Sequence, residues 1–91
     1  AIDLALCVSI ISSMEEIAVS DKICFAAEVG LGGELRAVNR VDQRISEAEK
    51  LGFEKIYVSK FSQKTVALRK SKIEVVAFAK ITDVFRELFG S

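Results

Sequence analysis

Three short apolar runs, with a helix-forming segment between the first two, set the strongest limit on how this chain can fold. Lys22–Val29 (KICFAAEV), Phe53–Val58 (FEKIYV) and Lys72–Ala79 (KIEVVAFA) are rich in β-branched and aromatic residues. The first is mostly apolar, as a central strand covered on both faces is. Between it and the second, Val41, Ile45, Ala48 and Leu51 recur at helical spacing, while Arg40, Arg44, Glu47 and Lys50 fall elsewhere on the wheel. A helix that leads directly into a strand predicts a crossover connection and parallel pairing.

The connections are legible in the same way. Gly30-Leu31-Gly32-Gly33 predicts a tight turn. The alternating segment Glu34–Val38 then makes a hairpin with the first run. Asn39 is a good N-cap for a helix over residues 40–51, and Gly52 ends it as a C′ residue. Residues 2–13 predict a helix that is apolar almost all round, and therefore buried. Residues 59–71 are polar and basic, with a short helical turn expected near 65–69. Thr82 is expected to cap a last helix over Asp83–Phe89, whose Val84, Phe85, Leu88 and Phe89 form an apolar stripe. The expected architecture is an α+β fold of two layers, a single domain over residues 1–91. The first residue already lies in the helical pattern, so the chain is expected to begin inside a domain rather than at its edge.

Composition narrows the chemistry. The 91 residues contain no His, Pro or Trp, which removes the commonest general base and the commonest metal ligand. Cys7 and Cys24 lie within apolar runs and predict core thiols in a reducing compartment rather than a disulfide. Two cysteines without histidine do not close an ordinary zinc site, so no metal site is expected. The opening AIDLALCVSII lacks the basic segment of a signal peptide and is too short to span a bilayer. A cytoplasmic location and no membrane partner are expected.

The formal charge is zero, but it is unevenly distributed. Residues 1–53 carry five basic and nine acidic side chains, and residues 54–80 carry seven basic and two acidic. The basic stretch is either a phosphate-binding surface, with Tyr57 and Phe61 interleaved for stacking on single-stranded nucleic acid, or a solvated loop beside a strand whose Tyr57 packs in the core. The glycine run follows a strand, as a phosphate loop does, but a second strand follows it and no Gly-Lys-Ser/Thr is present; a hairpin turn is the reading. Without histidine, a Ser–Lys pair is the remaining nucleophilic option. Nothing in the spacing of the serines and lysines singles out such a pair.

The stretch AEVGLGGELRAVNRVDQRISEAEKLGFEKIYVSK resembles the C-terminal Lon-protease-like domain of the bacterial RadA/Sms DNA-repair family, whose pattern is roughly GEVGLxGEVRxVxRxxxRxxEAxxLGF. Matches include Glu28, Val29, Gly30, Leu31, Gly33, Glu34, Arg36, Val38, Arg40, Arg44, Glu47, Ala48, Leu51, Gly52, Phe53 and Lys60. The opening helix and the closing KITDVFRELF are similar too. Ala27 stands where many relatives have Gly, and Ala37 and Ser59 where many have Pro.

The resemblance implies a Lon-like domain of the ribosomal protein S-five domain-two-like superfold, present here as its C-terminal portion. It also implies that Ile2 and Asp42 occupy the nucleophile and general-base positions of active Lon peptidases, so no catalytic residue is expected. DNA contact is expected at Lys60, Lys64, Arg69, Lys70 and Lys72. Arg36, Arg40 and Arg44 are expected at a subunit interface or at the DNA-facing rim. The full-length family implies a homo-oligomeric, hexameric ring that works on DNA with a RecA-type recombinase. Its ATP, Mg and Zn belong to an ATPase and a zinc finger absent from these residues. The competing expectations are an active Lon-type Ser–Lys peptidase fragment and an oligomerisation module without DNA contact.

Overall fold

The computed structural model describes residues 2–62 and 72–90. In chain order these form β1 (Ile2–Asp3), α1 (Leu4–Glu15), β2 (Ile23–Val29), β3 (Leu35–Ala37), α2 (Val41–Lys50), β4 (Lys55–Ser59), a 3-10 turn (Lys60–Ser62), β5 (Glu74–Phe78) and α3 (Ile81–Phe89). The expected helical turn near 65–69 lies outside the described residues.

Alternation along the strands decides the layering. Ile23, Phe25, Ala27 and Val29 of β2, Tyr57 of β4, and Val76 and Phe78 of β5 gather on one face of the sheet. Cys24, Ala26, Ile56, Val58, Val75 and Ala77 gather on the other. A sheet apolar on both faces must be covered on both. Leu4 and Val8 of α1 and Val84 of α3 cover the first face, together with the half-buried Phe85, Leu88 and Phe89. Val41, Ile45 and Ala48 of α2 cover the second. The result is a small mixed α/β domain with helices on both sides of the sheet rather than the two layers expected.

β4 lies between β2 and β5 and runs parallel to both, with Phe25 opposite Tyr57 and Val58 opposite Ala77; the pairing with β2 is the one the crossover predicted. β3 returns antiparallel on β2, with Val29 opposite Leu35, and β1 pairs antiparallel with the same end of β2. Tyr57 packs edge-on to Phe25 at 5.5 Å and tilted against Phe78 at 5.0 Å. The three rings thus bridge three adjacent strands in geometries favoured by their quadrupoles.

α2 ends as the sequence predicted. Gly52 is left-handed at φ +89°; its N–H donates to Glu49 C=O, and the Phe53 N–H donates to Ala48 C=O. This is a Schellman closure that sends Phe53 back into the core. The helix starts differ from expectation. Asp3, not a residue before Ile2, caps α1 by accepting from the Ala5 N–H at 2.8 Å, which frees Ile2–Asp3 to pair as a strand. Arg40, left-handed at φ +57°, takes the N-cap position of α2 without a side-chain bond, so Asn39 does not cap it. Thr82 lies inside α3, which begins at Ile81 after Lys80. There the Ile81 N–H donates to Gly33 C=O at 2.9 Å, so the hairpin turn supplies the acceptor expected from a side chain.

α1 is not buried all round. Leu4 and Val8 reach the sheet, but Leu6, Ile10 and Met14 stay exposed, as does Ile2 just before the helix. One sheet face can cover only one side of a helix, and no other described element reaches the second stripe. Truncations on the two sides should therefore differ. Leu4→Ala, at a fully buried site, is expected to cost about 2–5 kcal/mol. Leu6→Ala, on the same helix but 54% exposed, is expected to cost under about 1 kcal/mol. Urea unfolding of the two variants measures the difference, and equal losses would refute this placement of α1.

Candidate nucleic-acid interface

Because β4 and β5 are parallel, the residues that follow them emerge at the same end of the sheet. That is the end at which open α/β sheets receive ligands. Ser59 is opposite Phe78, so Lys60 after β4 and Lys80 after β5 both lie there, and both are exposed. Nothing in the local sequence singles out Lys80. The signal for it was the parallel register, which brings together residues twenty apart.

This end is tied by hydrogen bonds that converge on the hairpin. The Ser59 hydroxyl, fully buried, donates to Leu35 C=O at 3.0 Å and accepts from the Phe61 N–H at 3.2 Å. The Leu35 N–H donates to Ala79 C=O at 2.9 Å. Ser62 is also buried, and its Oγ has no hydrogen-bond partner among the described residues. Between these two sunken serines the Phe61 ring stands 68% exposed, with Lys60 Nζ 5.3 Å from its centroid. Tyr57, the other aromatic considered for stacking, is 2% exposed and belongs to the core.

The hairpin itself is closed by Glu34. Its carboxylate accepts from the Gly32 N–H at 2.9 Å and from Arg36 Nη2 at 3.1 Å. The same carboxylate fills the space over Gly30 into which a Cβ would project. Gly33 is left-handed at φ +82°, and its N–H donates to Gly30 C=O at 3.0 Å. The run is a turn between strands, and the amides of Gly30, Gly32 and Gly33 are engaged within the hairpin rather than offered to a phosphate.

Of the basic residues expected at DNA, the two that are described, Lys60 and Lys72, lie at opposite ends of the sheet. Lys72 precedes β5, whose first residue Glu74 is opposite Lys55, so it lies at the other end of the sheet from Lys60. The intervening strand sets the two about 20 Å apart at ~3.3 Å per residue. Lys64, Arg69 and Lys70 lie outside the described residues. Of the three arginines, Arg36 is held by Glu34 on the hairpin, Arg40 is exposed at the start of α2, and Arg44 lies one turn further on. Arg44 lines a shallow cleft of about 250 Å³ with Cys24, Glu47, Leu51 and Phe53. Burial pushes the Cys24 thiol above the usual range, against the opposing pulls of the Phe25 backbone and Arg44. Cys7 and Cys24 are both free and pack on opposite faces of the sheet.

Ile2 pairs with Val29 at the end of β2, and Asp42 is exposed in the first turn of α2, where a carboxylate complements the helix dipole. Among the described residues no group of three or more His, Cys, Asp or Glu side chains is placed to hold a metal ion, and no helix is long and apolar enough to cross a membrane.

Comparison with known proteins adds to this geometry. The family model described as subunit ChlI of Mg-chelatase matches residues 1–62. The chain is 47% identical over 90 residues to the DNA repair protein RadA of Streptococcus pneumoniae, a match that covers 99% of this chain and 21% of that protein. It is 39% identical over 90 residues to the RadA protein of Bacillus subtilis, covering 99% and 19% respectively. For Listeria monocytogenes RadA the identity is 37% over 87 residues, covering 96% and 19%. The chain thus spans about one fifth of the length of these relatives.

The hairpin gives a pH prediction. The backbone N–H of Glu34, the Arg36 guanidinium and the Gly32 N–H all favour the ionised carboxylate and hold its pKa below the usual glutamate range. A carboxyl depressed in the fold adds stability above its unfolded pKa of about 4.3, and that contribution is lost as pH falls through the lower folded value. In an NMR titration Glu34 should protonate below the usual glutamate range, with the Gly32 amide shift following it. Arg36→Ala should move the midpoint up, and Glu34→Gln should abolish the Gly32 dependence. A Glu34 midpoint at or above the usual value would refute the closure described.

Proposed function

The chain belongs to the family described as subunit ChlI of Mg-chelatase, and we propose that it serves as a non-proteolytic, Lon-like module for assembly and DNA contact within a RadA-type DNA repair protein. The observation that carries this reading is identity of 37–47% over nearly the whole chain to proteins named DNA repair protein RadA in three genera. The family match covers two thirds of the chain and is compatible with it.

The peptidase alternative is disfavoured by chemistry at the two positions aligned with the Lon dyad. An Ile2 side chain carries no nucleophile, and an Asp42 carboxylate does not reproduce the reach or charge of a lysine amine. In this reading ATP hydrolysis, with its Mg, and zinc binding belong to other parts of the longer protein. So do ring formation and work with a RecA-type recombinase, to which this module contributes contacts. The uncovered apolar stripe on α1 suits a domain that works inside a larger assembly. DNA phosphates are taken by Lys60, with Lys64, Arg69, Lys70 and Lys72 on the same basic stretch, and Arg36, Arg40 and Arg44 serve an interface or the rim.

The intact protein should bind DNA with an affinity that falls as salt rises. Changing the five residues of the basic stretch to glutamine should flatten the slope of log affinity against log salt by about 0.7–0.9 for each phosphate contact removed. The same protein should leave an unfolded polypeptide uncut. An unchanged slope refutes the DNA contact, and proteolysis that disappears on mutation of one Ser–Lys pair refutes the non-proteolytic role.

A further inference from the structure

We propose that Phe61 is a base-stacking residue that directs the module toward single-stranded nucleic acid, with Lys60 beside it as the phosphate partner. This deepens the nucleic-acid reading above and rests on it. A lone exposed hydrophobic residue is ordinary, but the setting of Phe61 is not. Two buried serines bracket the turn: Ser59 is 0% and Ser62 4% exposed, while Phe61 is 68% exposed. The Phe61 N–H is bonded to the Ser59 hydroxyl, which is itself bonded to Leu35 C=O. The ring therefore stands on an anchored turn, and little ordering is left for a ligand to impose.

Charge selects the ligand. Lys60 and Lys80, both exposed, lie at this end of the sheet and give it positive charge beside the ring. Lys60 Nζ lies over one face of the ring, so a base takes the other face and its phosphate is left within reach of that ammonium. Base–aromatic stacking is tolerant of sequence because every base has a π-face. A duplex keeps those faces covered, so the ring favours a single strand. An apolar protein pocket is the competing occupant, and it makes no use of bases.

The test uses the intact protein with three probes of equal length: an oligothymidylate, an abasic strand and a blunt duplex. Phe61→Ala is expected to weaken oligothymidylate binding about tenfold. Its salt slope should stay unchanged, because no charge is lost. Binding to the abasic strand and to the duplex should also stay unchanged. Phe61→Trp should restore affinity. Because the chain contains no tryptophan, any further tryptophan of the intact protein is replaced beforehand, and the introduced indole should be quenched by oligothymidylate and not by the abasic strand. Equal oligothymidylate affinity for Phe61→Ala and the unaltered protein, or an unquenched indole, overturns the stacking role. Phosphate contact is read separately from the abasic strand, so it survives that result. If the unaltered protein binds none of the probes, both readings fall together.

Discussion

β4 is buried on both faces, and the rest of the structure depends on that. Ile56, Tyr57 and Val58 alternate between the two sides and are each at most 2% exposed. A strand in this position needs a neighbour on each edge and a helix layer on each face. β2 and β5 supply the edges, α2 covers one face, and α1 with α3 covers the other. The crossover through α2 follows, because a parallel neighbour cannot be reached by a short turn. The end of the sheet where Lys60, Lys80 and the hairpin meet is a further consequence, since parallel strands deliver their successors to the same end.

What the sequence revealed divides along the same line. Features set by local chemistry were legible: the Gly52 closure, the turn at Gly30–Gly33, the parallel pairing of β2 and β4 and the apolar stripe of α3. Features set by a partner distant in sequence were not. Asn39 and Thr82 have the right side chains for caps, yet α2 starts after Arg40 with no side-chain cap, and at α3 the Gly33 carbonyl of the hairpin accepts from the Ile81 N–H. The sequence of α1 predicts burial because its apolar residues run almost all round the helix, but the number of surfaces that cover it is set by the fold. The site followed the same rule. Lys60 was identified by its charge, whereas Lys80 and the exposure of Phe61 depend on strand register and on two buried serines. Lys72, close to Lys60 in the basic stretch, is carried to the opposite end by β5.

The comparisons and the geometry bear on different scales. Identity to RadA proteins concerns the whole of this chain but only a fifth of those proteins. It therefore speaks to the context in which the module works, while the residues at the sheet end speak to what the module can touch. Neither depends on a catalytic group within the chain.

Glu34 and Gly30 show how tightly one part of that surface is specified. The carboxylate that closes the turn occupies the volume a side chain at position 30 would need, and it also holds Arg36. Any larger residue at 30 must displace the carboxylate, and a smaller residue at 34 leaves the Gly32 amide and Arg36 without their partner. Because the atoms in the way are the far end of a flexible side chain, a residue at 30 does not break the backbone turn; it swings the carboxylate aside and frees Arg36. A change that adds no charge of its own would thus release a cation at the hairpin tip.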